Sequence, residues 1–151
     1  MSQIVKLLRF YLVLLVVFTA GRWAMSLAGV PYEKGHHVFS LVTLSVIASA
    51  HHAAFARRLL GWRFGRVLGL GLGIGLATQL VIFISTAVSY LAGLDSYFNH
   101  PTALNAQQAV PFGAAMLARV GGLVVNCVIN MIAAALGWLM GGALPAREEV
   151  M

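Results

Sequence analysis

Residues 67–94 read VLGLGLGIGLATQLVIFISTAVSYLAGL, 28 consecutive positions without a charged side chain. A helix needs roughly 20 apolar residues to cross about 30 Å of hydrocarbon, and this stretch exceeds that. Two further uncharged intervals flank it: 22 residues between Lys34 and Arg57, and 27 between Arg119 and Arg147. Nearer the N-terminus, Arg22 interrupts an apolar run over residues 10–28. A helix there still spans if Arg9 and Arg22 reach head-groups at opposite interfaces, with Trp23 in the aromatic belt. The pattern predicts an all-α integral membrane protein, a four-transmembrane-helix bundle with helices near 7–28, 37–56, 67–93 and 114–143.

Composition agrees. Of 151 residues, 60% are hydrophobic and 9% charged, against about 45–50% and about 25% in soluble domains. Mean hydropathy is +0.89. The net charge of +6 comes from ten basic and four acidic residues. They are too few and scattered for a phosphate-tracking face, so a nucleic-acid partner is excluded. A single cysteine, Cys127, excludes a disulfide framework and is read as a small packing residue in the fourth span.

Orientation follows from the basic residues. Lys6, Arg9, Arg57, Arg58, Arg63, Arg66 and Arg147 fall on one side; Lys34 lies opposite, with Arg22 and Arg119 at helix edges. The positive-inside rule puts both termini and the 57–66 loop in the cytoplasm of a plasma or bacterial inner-type membrane. The N-terminus also resembles a signal peptide, with Thr19-Ala20-Gly21 where cleavage would fall. A retained first helix is the expectation. No repeat or linker divides the chain, so residues 1–151 are read as one domain. Outside the spans, the substantial piece is the outer loop 95–111, where Asn99-His100-Pro101 signals a turn into a short interfacial helix. Tyr97 and Phe98 are expected at head-group level.

All four acids, Glu33, Asp95, Glu148 and Glu149, lie outside the spans. Small multidrug-resistance transporters, also four-helix proteins of this size, carry an intramembrane glutamate as coupling site; this chain has none. Nor does a nucleophile–base set, nucleotide loop or carboxylate pair within the spans emerge, so no enzyme is expected.

The second span carries His36-His37 and His51-His52. On one helix, residues 37 and 51 would lie within about 40° of one face and roughly 21 Å apart. That spacing resembles the paired haem ligands on one helix of b-type cytochromes. The resemblance covers one helix and two residues, and it makes His37 and His51 candidate ligands for haem or a (bacterio)chlorophyll. The missing ligand would come from a second copy or partner, or the pigment would be five-coordinate. The alternative is that both pairs are interfacial. His36, His37 and His100 share the outer side without a metal-ligand spacing, so no metal site is expected.

Glycines at 61, 65, 69 and 73 recur every fourth residue, with a second pair at 71 and 75. Such spacing lets a neighbouring helix approach closely. A dinucleotide fingerprint is ruled out, because position 76 is Leu76 and no strand precedes it. Gly65, Gly69 and Gly73 are the expected seam for self-association or for other membrane subunits, and Gly137 and Gly141 form a shorter motif. Thr78, Gln79, Ser85 and Ser89 in the third span are expected to hydrogen-bond Asn126 and Asn130 in the fourth. Arg119 is expected to pair with Asp95 or bind a lipid phosphate. The leading functional expectation is a small noncatalytic membrane subunit that stabilises a larger complex. The alternatives are a haem- or pigment-binding electron-transfer subunit and a small oligomeric channel or transporter.

Overall fold

The computed structural model describes residues 3–143, with side chains from Leu7 onward. Arg147 and the Lys6 side chain, used above for orientation, lie outside the described residues, as do Glu148 and Glu149.

The described chain is all helical. Four long helices, α1 (Gln3–Leu27), α3 (Leu41–Leu60), α4 (Phe64–Leu91) and α5 (Phe112–Ala143), are joined by a one-turn helix α2 (Tyr32–Gly35) and a 3-10 turn (Pro101–Leu104). Three segments, Leu7–Leu27, Phe64–Leu91 and Phe112–Ala143, are long and apolar enough to cross a membrane. Serines, two histidines, Arg57 and Arg58 lower the hydropathy of α3, which is not among them.

The second helix departs from its expected span of 37–56. It begins at Leu41, capped by Ser40, whose hydroxyl accepts from Thr43 N at 3.4 Å. Phe39 just ahead of it takes a left-handed backbone, φ 53°, so residues 36–39 form a turn. The helix then runs past Arg57 to Leu60 and stops at Gly61, whose φ of +63° favours glycine. Arg57 stays helical because its guanidinium stacks 3.7 Å over the Trp138 ring and donates to Trp138 O at 2.8 Å.

Close contacts fix the helix directions. Gly71 and Gly75 of α4 meet Asn130 and Cys127 of α5, so these two run antiparallel. Gly137 and Gly141 of α5 meet Ala50 and Ala54 of α3, so those two run parallel. On α1, Tyr11 reaches Thr78 while Ser26 reaches Tyr97, so α1 runs with α4. The 61–63 connection and Trp138 therefore share one end of the bundle, and residues 28–40 and 92–111 share the other.

An apolar cluster around Tyr11, Leu41, Val67 and Ile74 shares the interior with many polar side chains, while large apolar ones face outward. Ser45, Ser49, Thr78, Gln79, Ser85, Thr86, Ser89, Asn126 and Asn130 are inside. Phe10 and Val16 are 70% exposed, Leu117 73%, and similarly bare apolar side chains occur along all four long helices. Water would penalise such a surface heavily.

The interior asparagines are satisfied, though not by the expected partners. Asn130 Oδ1 accepts from Ser49 Oγ at 2.7 Å, and Asn130 Nδ2 donates to Ser45 Oγ at 3.2 Å. Both serines belong to α3, because α5 packs against α3 as well as α4. Asn126 does reach α4, but through the backbone, donating from Nδ2 to Gly75 O at 3.5 Å. Among the expected α4 groups, Thr78 binds α1, where the Tyr11 hydroxyl meets it. Ser89 meets Ser96 of the outer loop at 2.6 Å.

Candidate functional site

At the end that carries the long loop, two arginines converge. Arg22 lies near the last turn of α1, and Arg119 lies about 10 Å beyond the start of α5. They line one cavity of about 230 Å³ with Tyr32, His36, His37 and Tyr97.

Arg119 organises the loop above it. Its Nε donates to Thr86 Oγ1 at 3.0 Å, Nη1 to Ala103 O at 3.1 Å and Nη2 to Phe98 O at 2.6 Å. The expected Arg119–Asp95 pair does not form; Asp95 is exposed, and the arginine instead binds carbonyls the loop turns inward. Tyr97 and Phe98, expected at head-group level, are buried for the same reason, only 3% and 2% exposed. The Tyr97 backbone N–H donates to Ser26 Oγ at 3.1 Å, and its hydroxyl donates to Val30 O at 2.7 Å. The 3-10 turn starts at Pro101, with His100 at its cap.

Arg22 is less committed. Its Nη1 donates to His36 O at 3.1 Å, the Tyr32 hydroxyl lies beside it, and the Tyr97 and Phe98 rings stand 5.4 and 5.6 Å from the guanidinium carbon. Above the cavity the aromatic rings stack. Tyr32 lies between His100, at 4.3 Å and nearly parallel, and His36, at 5.1 Å. His36 in turn meets His37 at 3.7 Å. Among the described residues, no three His, Cys, Asp or Glu side chains come together as a metal site.

The candidate ligands His37 and His51 are not on one helix. His37 lies in the turn before α3 and lines the arginine cavity. His51 lies within α3 and lines a separate apolar groove of about 670 Å³ between α1 and α3, with Phe10, Leu14, Ile47 and Phe55. The 14-residue helical alignment therefore does not hold, since Phe39 interrupts the helix between them. Next to His51, the buried His52 directs Nδ1 to Ala48 O at 2.8 Å.

The two glycine rows of α4 differ in surroundings. A Cβ built at Gly71 would lie 2.6 Å from Asn130 O and 2.8 Å from Ala134 Cβ; at Gly75 it would lie 3.1 Å from Cys127 Cα. At Gly65, Gly69 and Gly73 it would meet nothing within 4 Å. Internal packing thus uses the second row, and the longer row faces outward.

The opposite end is ringed by arginine–tryptophan contacts. Arg66 stacks 3.9 Å over Trp62, and Trp138 Nε1 donates to Trp62 O at 3.0 Å. No protein-family model, curated protein or solved structure matches the chain.

Proposed function

We propose that this chain is an integral membrane protein with four spans, acting as a small noncatalytic subunit whose outward α4 face receives a transmembrane helix of a partner membrane protein. The observation that carries the reading is the division of α4. One glycine row is closed against α5, while Gly65, Gly69 and Gly73 form a second row with no occupant among the described residues. Leu72 and Leu76 form an exposed ridge along one side of that row, with 38% and 43% exposure. Lipid chains are as apolar as leucine, so close approach and dispersion are what favour a helix there. The α3 helix has 20 residues, about the number that crosses the hydrocarbon, and its serines are spent on Asn130, which supports counting it as the fourth span.

The expected test outcome is loss of a partner without loss of fold. Gly69→Leu and Gly73→Leu should leave helix content and monodispersity of the purified chain unchanged. The same changes should remove a stoichiometric membrane protein that co-purifies after mild extraction. Retention of that partner by both variants would overturn the seating on α4.

For orientation, Arg57, Arg58, Arg63 and Arg66 support a cytoplasmic location for their end of the bundle, in a plasma or inner-type membrane with both termini on that side. A thiol reagent that does not cross the bilayer should label a cysteine at Asn105 in intact cells, and one at Arg63 only after lysis. The reverse pattern would invert the topology.

A further inference from the structure

We infer that the cavity between Arg22 and Arg119 is a binding site for a phosphate-class oxyanion. Both guanidiniums line it, together with Ser40, His36 and His37, and its lining contains no carboxylate. The acids nearest this end, Glu33 and Asp95, line a different, neighbouring cavity.

Two like charges facing one half-open cavity repel, and a charge partly withdrawn from water needs compensation. Backbone carbonyls provide part of it. Each guanidinium has five N–H donors in a planar fork; Arg119 places three on Thr86, Ala103 and Phe98, leaving two. Arg22 gives one to His36 O and a further hydrogen bond to Tyr32, and lines the cavity with the remainder. Paired forks with spare donors suit a tetrahedral oxyanion, which accepts several charge-assisted hydrogen bonds at once. The space is several times the roughly 30 Å³ that one water occupies in the liquid. Aromatic walls from Tyr32, Tyr97 and Phe98 lower the local dielectric and strengthen the attraction.

The same chemistry has two sources, a free phosphate and the head-group of an anionic phospholipid lodged at the bundle's end. The full chain in nonionic detergent, stripped of lipid, separates them. Thermal unfolding is followed with inorganic phosphate against chloride at fixed ionic strength, and with phosphatidylglycerol against phosphatidylcholine in mixed micelles. Saturable stabilisation by phosphate identifies the free anion, and by phosphatidylglycerol alone the lipid; either supports the site. Arg22→Gln should weaken that binding about tenfold or more, with Arg22→Lys intermediate. Should Arg22→Gln fail to fold, protection of Arg22 from phenylglyoxal in the wild-type chain gives the same reading. Absence of saturable stabilisation by both ligands, or undiminished binding by folded Arg22→Gln, would overturn the site. Neither result bears on the glycine row of α4, which lies on another surface.

Discussion

Gly71→Leu and Gly75→Leu should each break the bundle, while Gly69→Leu and Gly73→Leu should not. A side chain at position 71 is driven into the Asn130 carbonyl and Ala134, which are backbone and a β-carbon and cannot swing aside. The two helices must separate along the seam, where α4 and α5 are most closely packed, losing dispersion contacts and the Asn126–Gly75 hydrogen bond. Overpacking alone costs about 1–3 kcal/mol. In the proposed membrane setting, separation also exposes Asn126 and Asn130, both nearly fully buried, to a medium that cannot hydrogen-bond them. Gly71→Leu should therefore lose at least about 3 kcal/mol, seen as aggregation on extraction or a large fall in Tm. Gly75→Ala is milder, because its closest contact is 3.1 Å and needs a shift of a few tenths of an ångström. Equal destabilisation by Gly69→Leu would show that the outward assignment is wrong.

Arg119→Met should release the outer loop from the bundle. The change removes three donors and leaves the half-buried Ala103 carbonyl without its partner, while Phe98 O keeps only the Thr86 hydroxyl at 3.2 Å. Losing a charge-assisted hydrogen bond is worth about 1.5–3 kcal/mol, and stranding a buried acceptor costs about 1–3 more. These terms overlap, and a net loss of about 3 kcal/mol is expected. It should concentrate in residues 92–111, where amide exchange should rise well before the helices exchange. Trp23 reports the same event, because its ring packs 5.3 Å from Phe98 and its emission should shift as that contact opens. Unchanged protection of the loop would contradict the role given to Arg119.

How legible these features were depends on the kind of signal each leaves. Helix positions could be read from charge-free intervals, because burying a charge in hydrocarbon is costly enough to write itself into the sequence. The start of α3 could not. His36-His37-Val38-Phe39 continues an apolar helical pattern, and only the left-handed backbone of Phe39 stops it. The candidate cofactor pair His37 and His51 rested on that continuity. Both glycine rows were visible as i, i+4 ladders, but an almost uniformly apolar helix gives no amphipathic stripe to say which row faces in. The asparagines of α5 decide that, and the serine partners of Asn130 lie 81 and 85 positions away on α3. The arginine pair was the least legible. Arg22 and Arg119 each read as an ordinary interfacial residue, and only the folded chain brings the two to one cavity. Tyr32, which links that cavity to the histidine stack, drew no notice in a short loop.

The membrane reading and the seating of a partner on α4 meet in one measurement, footprinting by a carbene released from a lipid acyl chain. It inserts into whatever the hydrocarbon touches. In native membranes the account predicts label on exposed apolar positions of all four long helices, for instance Val16 on α1, Ile47 on α3, Ile84 on α4 and Val124 on α5. Label should be missing around Gly69, Leu72, Gly73 and Leu76, and should appear there once the purified chain is reconstituted alone. Absence of label from α3, or full labelling of the α4 glycine row in native membranes, would contradict it.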